Sequence, residues 1–229
     1  MQLQHCFLLS YVKYGDNDAV LHCFSRDSGY QSFFVKGIYS SKNKKKAYLI
    51  PLNQLILNVV SKRNLGGMPV VSKIEMRPQD YLYDEVKINT VLMFVADFLN
   101  QVLRNETSEN FIYEEIEKFT HELFTGNYNA YVAFIYKILH LQGLSPLNGN
   151  EAYLDPESGN FTSEKSNNFF DLEISSLWKE FIVSDNVYKV SMSRKTRSTF
   201  LDSLMMFYKI HFSNFHEPHS LDIIQQLYE

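Results

Sequence analysis

Cysteine is nearly missing from this 229-residue chain, where Cys6 and Cys23 are the only two. Two thiols supply neither a disulfide framework nor a four-cysteine zinc site. They fit a reducing compartment, as small buried hydrophobes on strands. Long apolar runs are missing too, since no stretch approaches the ~20 residues of a membrane-spanning helix. The opening MQLQHCFLLSYVK lacks the basic n-region and small-residue cleavage site of a secretory signal. The expectation is a soluble, cytoplasmic protein. Catalytic signatures are also missing: there is no Walker A sequence, no G-x-G-x-x-G, no G-x-S-x-G and no H-E-x-x-H. The only histidine cluster, His211, His216 and His219, has just Glu217 beside it, which is a poor ligand set and reads as solvated helix-end residues. The carboxylate pairs Asp16/Asp18 and Glu114/Glu115 fall in a turn and on a helix, and the lack of clustered carboxylates argues against metal-assisted cleavage. No repeat is visible. These absences point to a binding protein rather than an enzyme.

What is present is an uneven charge. The chain has a net charge of −4. Residues 1–80 nevertheless hold eleven Lys/Arg against five Asp/Glu, a balance of +6, and the other 149 residues hold eleven against twenty-one, a balance of −10. A basic first third joined to an acidic remainder suggests a polyanionic partner. The basic region peaks at KGIYSSKNKKKAYLIP (36–51), where Lys42, Lys44, Lys45 and Lys46 fall within five positions. A lysine run is ordinarily a solvated loop. In the middle of a wider positive region it is also a phosphate-binding candidate.

The hydrophobic pattern changes near residue 80. Before it, segments 3–13, 19–25, 30–38, 52–60 and 68–76 are rich in β-branched and aromatic residues and are separated by turn residues, which predicts about five strands. That number suits an OB-fold barrel, and an SH3-like barrel nearly as well. After residue 85, Ile88, Val91, Leu92, Val95, Phe98, Leu99 and Val102 recur at helical spacing. Further helices are predicted to follow a cap at Ser108, over 128–142, 169–182 and 195–212, and at 220–228. Residues 144–168 are polar, with Pro146, Gly149, Pro156 and Gly159, and predict an irregular loop. The expected fold class is α+β multidomain: an OB-fold β-barrel domain over 1–80, then an all-helical domain over 81–229, with the junction near 78–85.

An OB barrel binds single strands with a cationic groove for phosphates and aromatic faces for bases. Lys36, Lys42, Lys44, Lys45, Lys46, Lys62 and Arg63 are the candidate cations. Tyr11, Tyr14, Tyr30, Phe33, Phe34, Tyr39 and Tyr48 are the candidate aromatics, with Tyr39 and Tyr48, beside the lysines, expected to be the more exposed. Strand alternation sends Phe33 and Phe34 to opposite faces, so one of them is core. Lysine is a point charge suited to sequence-independent backbone contact. Arg194, Lys195 and Arg197 open a predicted helix, where cations oppose the helix dipole, and an acidic partner segment would favour them.

The stretch YGDNDAVLHCFSRDSGYQSFFVKGIYSSKNK (14–44) resembles the N-terminal signature of RecO, the bacterial recombination mediator family. Tyr14, Gly15, Asn17, Asp18, Gly29, Lys36 and Gly37 match it, and Asp16 stands where Glu is usual. LQGLSP (141–146) is similar to the family's Gly-x-x-Pro, and HSLDIIQQLYE (219–229) to its Lys-Ser-Leu ending. Many members carry four cysteines after the Gly-x-x-Pro, which hold zinc. Residues 144–168 carry none, so no metal or other cofactor is expected.

The resemblance implies a non-enzymatic protein of RecF-pathway DNA repair, cytoplasmic and associated with the nucleoid. Such a protein binds single- and double-stranded DNA, anneals complementary strands, works with RecR, and helps RecA displace single-strand-binding protein (SSB). It also implies that the helical domain binds the acidic, Phe-ending C-terminal tail of SSB, a role open to Arg194, Lys195 and Arg197. The alternative is an interaction scaffold whose basic barrel binds RNA or an acidic protein.

Overall fold

The alternating segments of the first third form five strands, whose inward residues are apolar and whose turns fall at glycine and aspartate. In the computed structural model, the described residues are 2–63, 67–77, 85–107 and 110–227, without the side chains of 61–63 and 227. The expected cap at Ser108, the turn at 64–66 and the junction at 78–84 lie outside them. The chain divides into two compact units, Met1–Tyr113 with Pro218–Ser220, and Glu114–Glu217 with Leu221–Glu229.

In the first unit, β1 (Gln2–Tyr14), β2 (Asp18–Ser25), β3 (Gly29–Val35), β4 (Gln54–Arg63) and β5 (Pro69–Met76) close into a barrel in the order β1-β2-β3-β5-β4. Every pairing is antiparallel except β3 with β5, which run parallel at Phe34↔Val70 and Val35↔Val71. This is an OB-like closed barrel. Its interior holds Cys6, Leu8, Leu21, Cys23, Phe33, Leu55 and Leu57. Both cysteines are free and buried, and burial, then the hydrogen bond with Cys6, pushes the Cys23 thiol up.

A bulge between Leu8 and Ser10 interrupts the β1–β2 register and bends β1. Pairing of β1 with β4 ends at Phe7↔Gln54, whereas pairing with β2 continues to Tyr14↔Asp18. The end of β1 therefore runs on as part of a two-stranded ribbon, and Tyr11, Val12, Lys13 and Tyr14 are all exposed.

Helix α1 (Val86–Val102) packs on β1. Its Asn100 Oδ1 accepts from the Ser10 hydroxyl at 3.2 Å and the Tyr30 hydroxyl at 3.0 Å. Gly29 has φ +66°, and a Cβ there would lie 2.4 Å from the Thr107 carbonyl carbon. Only glycine allows this approach, which lets the Tyr30 amide donate to the Glu106 carbonyl at 3.1 Å.

The second unit is built from α2 (Asn110–Phe124, from Glu114 onward), α3 (Ala130–Leu141), α4 (Leu172–Val183), α5 (Arg194–His211) and α6 (Leu221–Leu227). Nine of the twelve α3 residues are buried, as an apolar run without a polar face predicts. Trp178 is fully buried against Tyr136, Phe200 and Phe207, and its indole donates to the Ser203 hydroxyl at 3.0 Å.

Residues 144–168 are more ordered than the expected loop. They contain a hairpin of β6 (Tyr153–Asp155) and β7 (Asn160–Thr162). Asp155 ties its turn, accepting from the Ser158 hydroxyl at 2.6 Å and the Ser166 hydroxyl at 2.8 Å. The Ser158 bond foremost holds the Asp155 carboxyl below its ordinary value. The Leu154 amide donates to the buried Ser175 hydroxyl at 3.0 Å, which anchors the hairpin to α4. Among the described residues, no group of three His, Cys, Asp or Glu is placed to hold a metal ion. Among them, too, no helix is long and apolar enough to cross a membrane.

Candidate nucleic-acid interface

The lysine run is a folded lid on one end of the barrel. Gly37 turns the chain with φ +68°, and its amide donates to Asp18 Oδ1 at 2.7 Å. The Tyr39 amide donates to the Asn17 carbonyl at 2.9 Å. Asn43 Oδ1 accepts the Lys45 amide at 2.9 Å and so caps a 3-10 helix, Lys44–Tyr48. Beyond it, the Leu52 amide donates to the Leu8 carbonyl at 2.7 Å and the Leu8 amide to the Asn53 carbonyl at 3.0 Å. These two bonds pin the segment to the edge of β1 that β4 leaves free. Ile38 and Leu49 are buried in the barrel core, and Tyr39 and Tyr48 pack against it half-buried.

This arrangement holds the cations outward. Lys36, Lys42, Lys44 and Lys46 are exposed and Lys45 is half-buried. At about 120° per residue, successive 3-10 side chains fan around the axis, so Lys44, Lys45 and Lys46 cannot share one point. The Lys46 ammonium lies 5.5 Å from the Tyr39 ring centroid, and Lys13 Nζ lies 5.9 Å from the same ring. Such contacts at exposed sites contribute about 0.5–1 kcal/mol each. Burial first, then the neighbouring Tyr11, raises the Tyr39 phenol above its ordinary value. Among the described residues, no ion pair engages Lys13, Lys36, Lys42, Lys44, Lys45 or Lys46. Lys62 and Arg63 lie at the end of β4, and their side chains are outside the described residues.

As strand alternation expects, Phe33 is core and Phe34 lies on the opposite, outer face, where it is itself buried. The tyrosines sort differently from the expectation. Tyr11 and Tyr14 are 42% and 58% exposed, more open than Tyr39 and Tyr48, because the end of β1 extends past its pairing with β4. The Tyr14 ring meets Phe34 edge-on at 5.6 Å. The registers Val12↔Val20, Val20↔Phe34, Phe34↔Val70 and Val70↔Val60 run an apolar row across the outer face of all five strands. OB barrels bind oligonucleotides on this β2–β3 face, beside the β1–β2 loop. Lys13 is a cation beside the Tyr39 ring that sequence reasoning misses. Its signal is the alternation Tyr11-x-Lys13, which puts both side chains on one strand face.

In the second unit, Arg194, Lys195 and Arg197 do come together, on the wall of a cavity of about 360 Å³ that also takes in Tyr131, Leu201 and Ile224. Arg194 and Lys195 are exposed. Arg197 is buried, with Nη1 donating to Asn129 Oδ1. Ser193 caps α5, its hydroxyl accepting the Thr196 amide at 3.1 Å. The result is a cationic rim over an apolar floor.

The barrel spans Gln2–Met76, and the family model described as Recombination protein O N terminal matches residues 1–77. The DNA repair protein RecO of Flavobacterium psychrophilum is 23% identical over 230 residues, 96% of each chain. That of Christiangramia forsetii is 24% identical over 237 residues, again 96% of each. That of Porphyromonas gingivalis is 25% identical over 247 residues, 99% of each. The chain is thus similar to the RecO family, over its barrel by the family model and over nearly its whole length by these relatives. These relatives are DNA repair proteins by name, and the likeness to them spans both the barrel and the helical unit.

Proposed function

We propose that this chain is a member of the RecO family and a recombination mediator without enzymatic activity, acting in the cytoplasm on nucleoid DNA. Residues 1–80 are its DNA-binding domain and residues 81–229 its helical domain. The observation that carries the reading is the set of ammonium groups, free of ion pairs among the described residues, around the Tyr39 ring: Lys13 and Lys46 directly, with Lys36, Lys42, Lys44 and Lys45 on the same lid or its approach. Phosphates neutralised by such groups release counterions without any reading of sequence. Tyr11, Tyr14, Tyr39 and Tyr48 offer ring faces on which bases stack, a contact that tolerates any base. Lys62 and Arg63 are further candidate cations by sequence alone. Sequence-independent contact is what annealing of two complementary strands requires.

The cavity beside Arg194, Lys195 and Arg197 suits a short acidic peptide with an apolar end. Its cations meet carboxylates, and Tyr131, Leu201 and Ile224 meet the apolar terminus. This supports binding of the SSB tail, and with RecR the chain assists RecA loading on SSB-coated single strands. The test is annealing of complementary labelled oligonucleotides at low salt. Lys44→Glu/Lys46→Glu is expected to slow annealing by about tenfold or more, since two cations become anions in a phosphate track. Unchanged annealing rejects the reading. Competition by RNA or an acidic peptide equal to that by single-stranded DNA turns it toward the scaffold alternative.

A further inference from the structure

A second recess, of about 640 Å³, lies farther along α5 in the same unit. Helix α5 contributes residues 194–201 to the cationic cavity and residues 202–210 to this recess, and Gln225 of α6 borders both. The recess has an apolar interior. Met205 and Leu221 are buried at its base, and Phe169 and Ile210 remain 48% and 39% exposed on its walls. Met206 completes the wall, and methionine adapts to irregular partners. Asp202, Glu217 and Asp222 stand on its rim against one cation, Lys209. Glu217 lies close enough to Asp202 for its charge to be felt there. Burial raises the Asp202 carboxyl above its ordinary value and the charge of Glu217 adds to this, while the Gln225 amide, donating at 2.6 Å, opposes it. An incoming cation would offset that charge.

We propose that this groove is a docking site for a basic amphipathic helix of a partner protein. The partner's apolar face lies between Phe169 and Ile210, and its Lys or Arg heads reach Asp202, Glu217 and Asp222. This is the helix-in-groove mode, in which anchors at i, i+3, i+4 and i+7 fill an apolar channel. Charge sign decides the occupant, since the rim repels phosphates and acidic peptides, the ligands proposed for the barrel and for the cationic cavity. Unit two then presents two pockets of opposite sign on one helix. The proposal does not depend on DNA binding by the barrel.

The test follows isotope-labelled methionine methyl signals while the full chain is titrated with a helical peptide of leucine and lysine alone, leucines at i, i+3, i+4 and i+7. The Met205 and Met206 methyls are expected to shift and saturate. Glu217→Lys/Asp222→Lys, both exposed positions, is expected to weaken binding by about tenfold or more, and Ile210→Asp by a similar factor. The same charge change at Glu164 and Asp185, exposed and outside the lining of the recess, should leave affinity within about twofold. Equal losses in the two charge variants, or no saturable shift at Met205 and Met206, overturn the proposal. So does self-association of the wild-type chain that Glu217→Lys/Asp222→Lys abolishes, because the occupant is then a second copy. An acidic tail peptide measured on the same variants should keep its affinity, which separates failure here from failure of the tail reading.

Discussion

Lys46 and Tyr39 are stacked cation over ring, 5.5 Å apart, with the Lys13 ammonium 5.9 Å from the same ring. One half-buried tyrosine thus gathers cations from β1 and from the lysine helix into a single patch. The patch exists because the segment between Gly37 and Asn53 is folded, which makes the fold of that segment open to experiment.

Asn43→Ala removes both the cap on the Lys45 amide and the side-chain bond to the Gly37 carbonyl, 3.1 Å long. Loss of a cap costs about 0.5–2 kcal/mol, here confined to the lid. Single-stranded DNA affinity should fall several-fold while the thermal unfolding of the barrel changes little. Loss of affinity together with collapse of the whole first unit would show that the lid is not a separable element.

Gly29→Ala places a methyl group 2.4 Å from the Thr107 backbone at a φ of +66°. Backbone strain of this kind costs roughly 1–3 kcal/mol, and more where backbone must move. Chemical denaturation should show a lower midpoint with an unchanged slope. Wild-type stability in this variant would contradict the close approach.

Arg194 and Arg197 should separate by phenotype. Arg194→Glu/Lys195→Glu is expected to weaken an acidic, Phe-ending peptide by about tenfold or more without lowering stability, since both side chains are exposed. Arg197→Ala should lower stability itself, because its guanidinium is buried against Asn129. Peptide titration beside thermal unfolding distinguishes the two.

His22 gives the fold a pH dependence. Burial, then the charge of Arg104, lowers its pKa below the ordinary 6.5. Ser32 Oγ lies 2.8 Å from Nδ1, and Tyr30 stacks on the ring at 6.1 Å. The folded state therefore favours the neutral imidazole. The associated stability is complete above the unfolded pKa and is lost as pH falls through the lower folded value. Between pH 8 and pH 5, thermal midpoints of the wild type should fall more than those of His22→Gln. Parallel curves would contradict this.

The barrel strands and the long helices are legible in the sequence because their apolar periods differ, two against 3.6. Charge asymmetry makes the lysine run legible as a cationic feature. Its helical order is not, because it depends on Asn43 as a cap and on Leu8 as a distant hydrogen-bond partner. Tyr11 is legible as a candidate aromatic and Lys13 through its alternation with Tyr11, but the bulge at Leu8–Ser10 that bends their strand is announced by no local motif. The hairpin 153–162 has strands of three residues, too short to show alternation. Burial of Arg197 arises from Asn129, sixty-eight positions away, and no local sequence pattern shows it.

The most direct measurement is single-stranded DNA affinity against salt, for the wild type and for Lys42→Ala/Lys44→Ala/Lys45→Ala/Lys46→Ala. On a single strand, the logarithmic slope falls by about 0.7 for each phosphate that the protein no longer neutralises. The wild type should weaken steeply with salt, and the four-alanine variant should show a clearly shallower slope and lower affinity at low salt. Superimposable curves would show that the lysine helix touches no phosphate and would contradict the account.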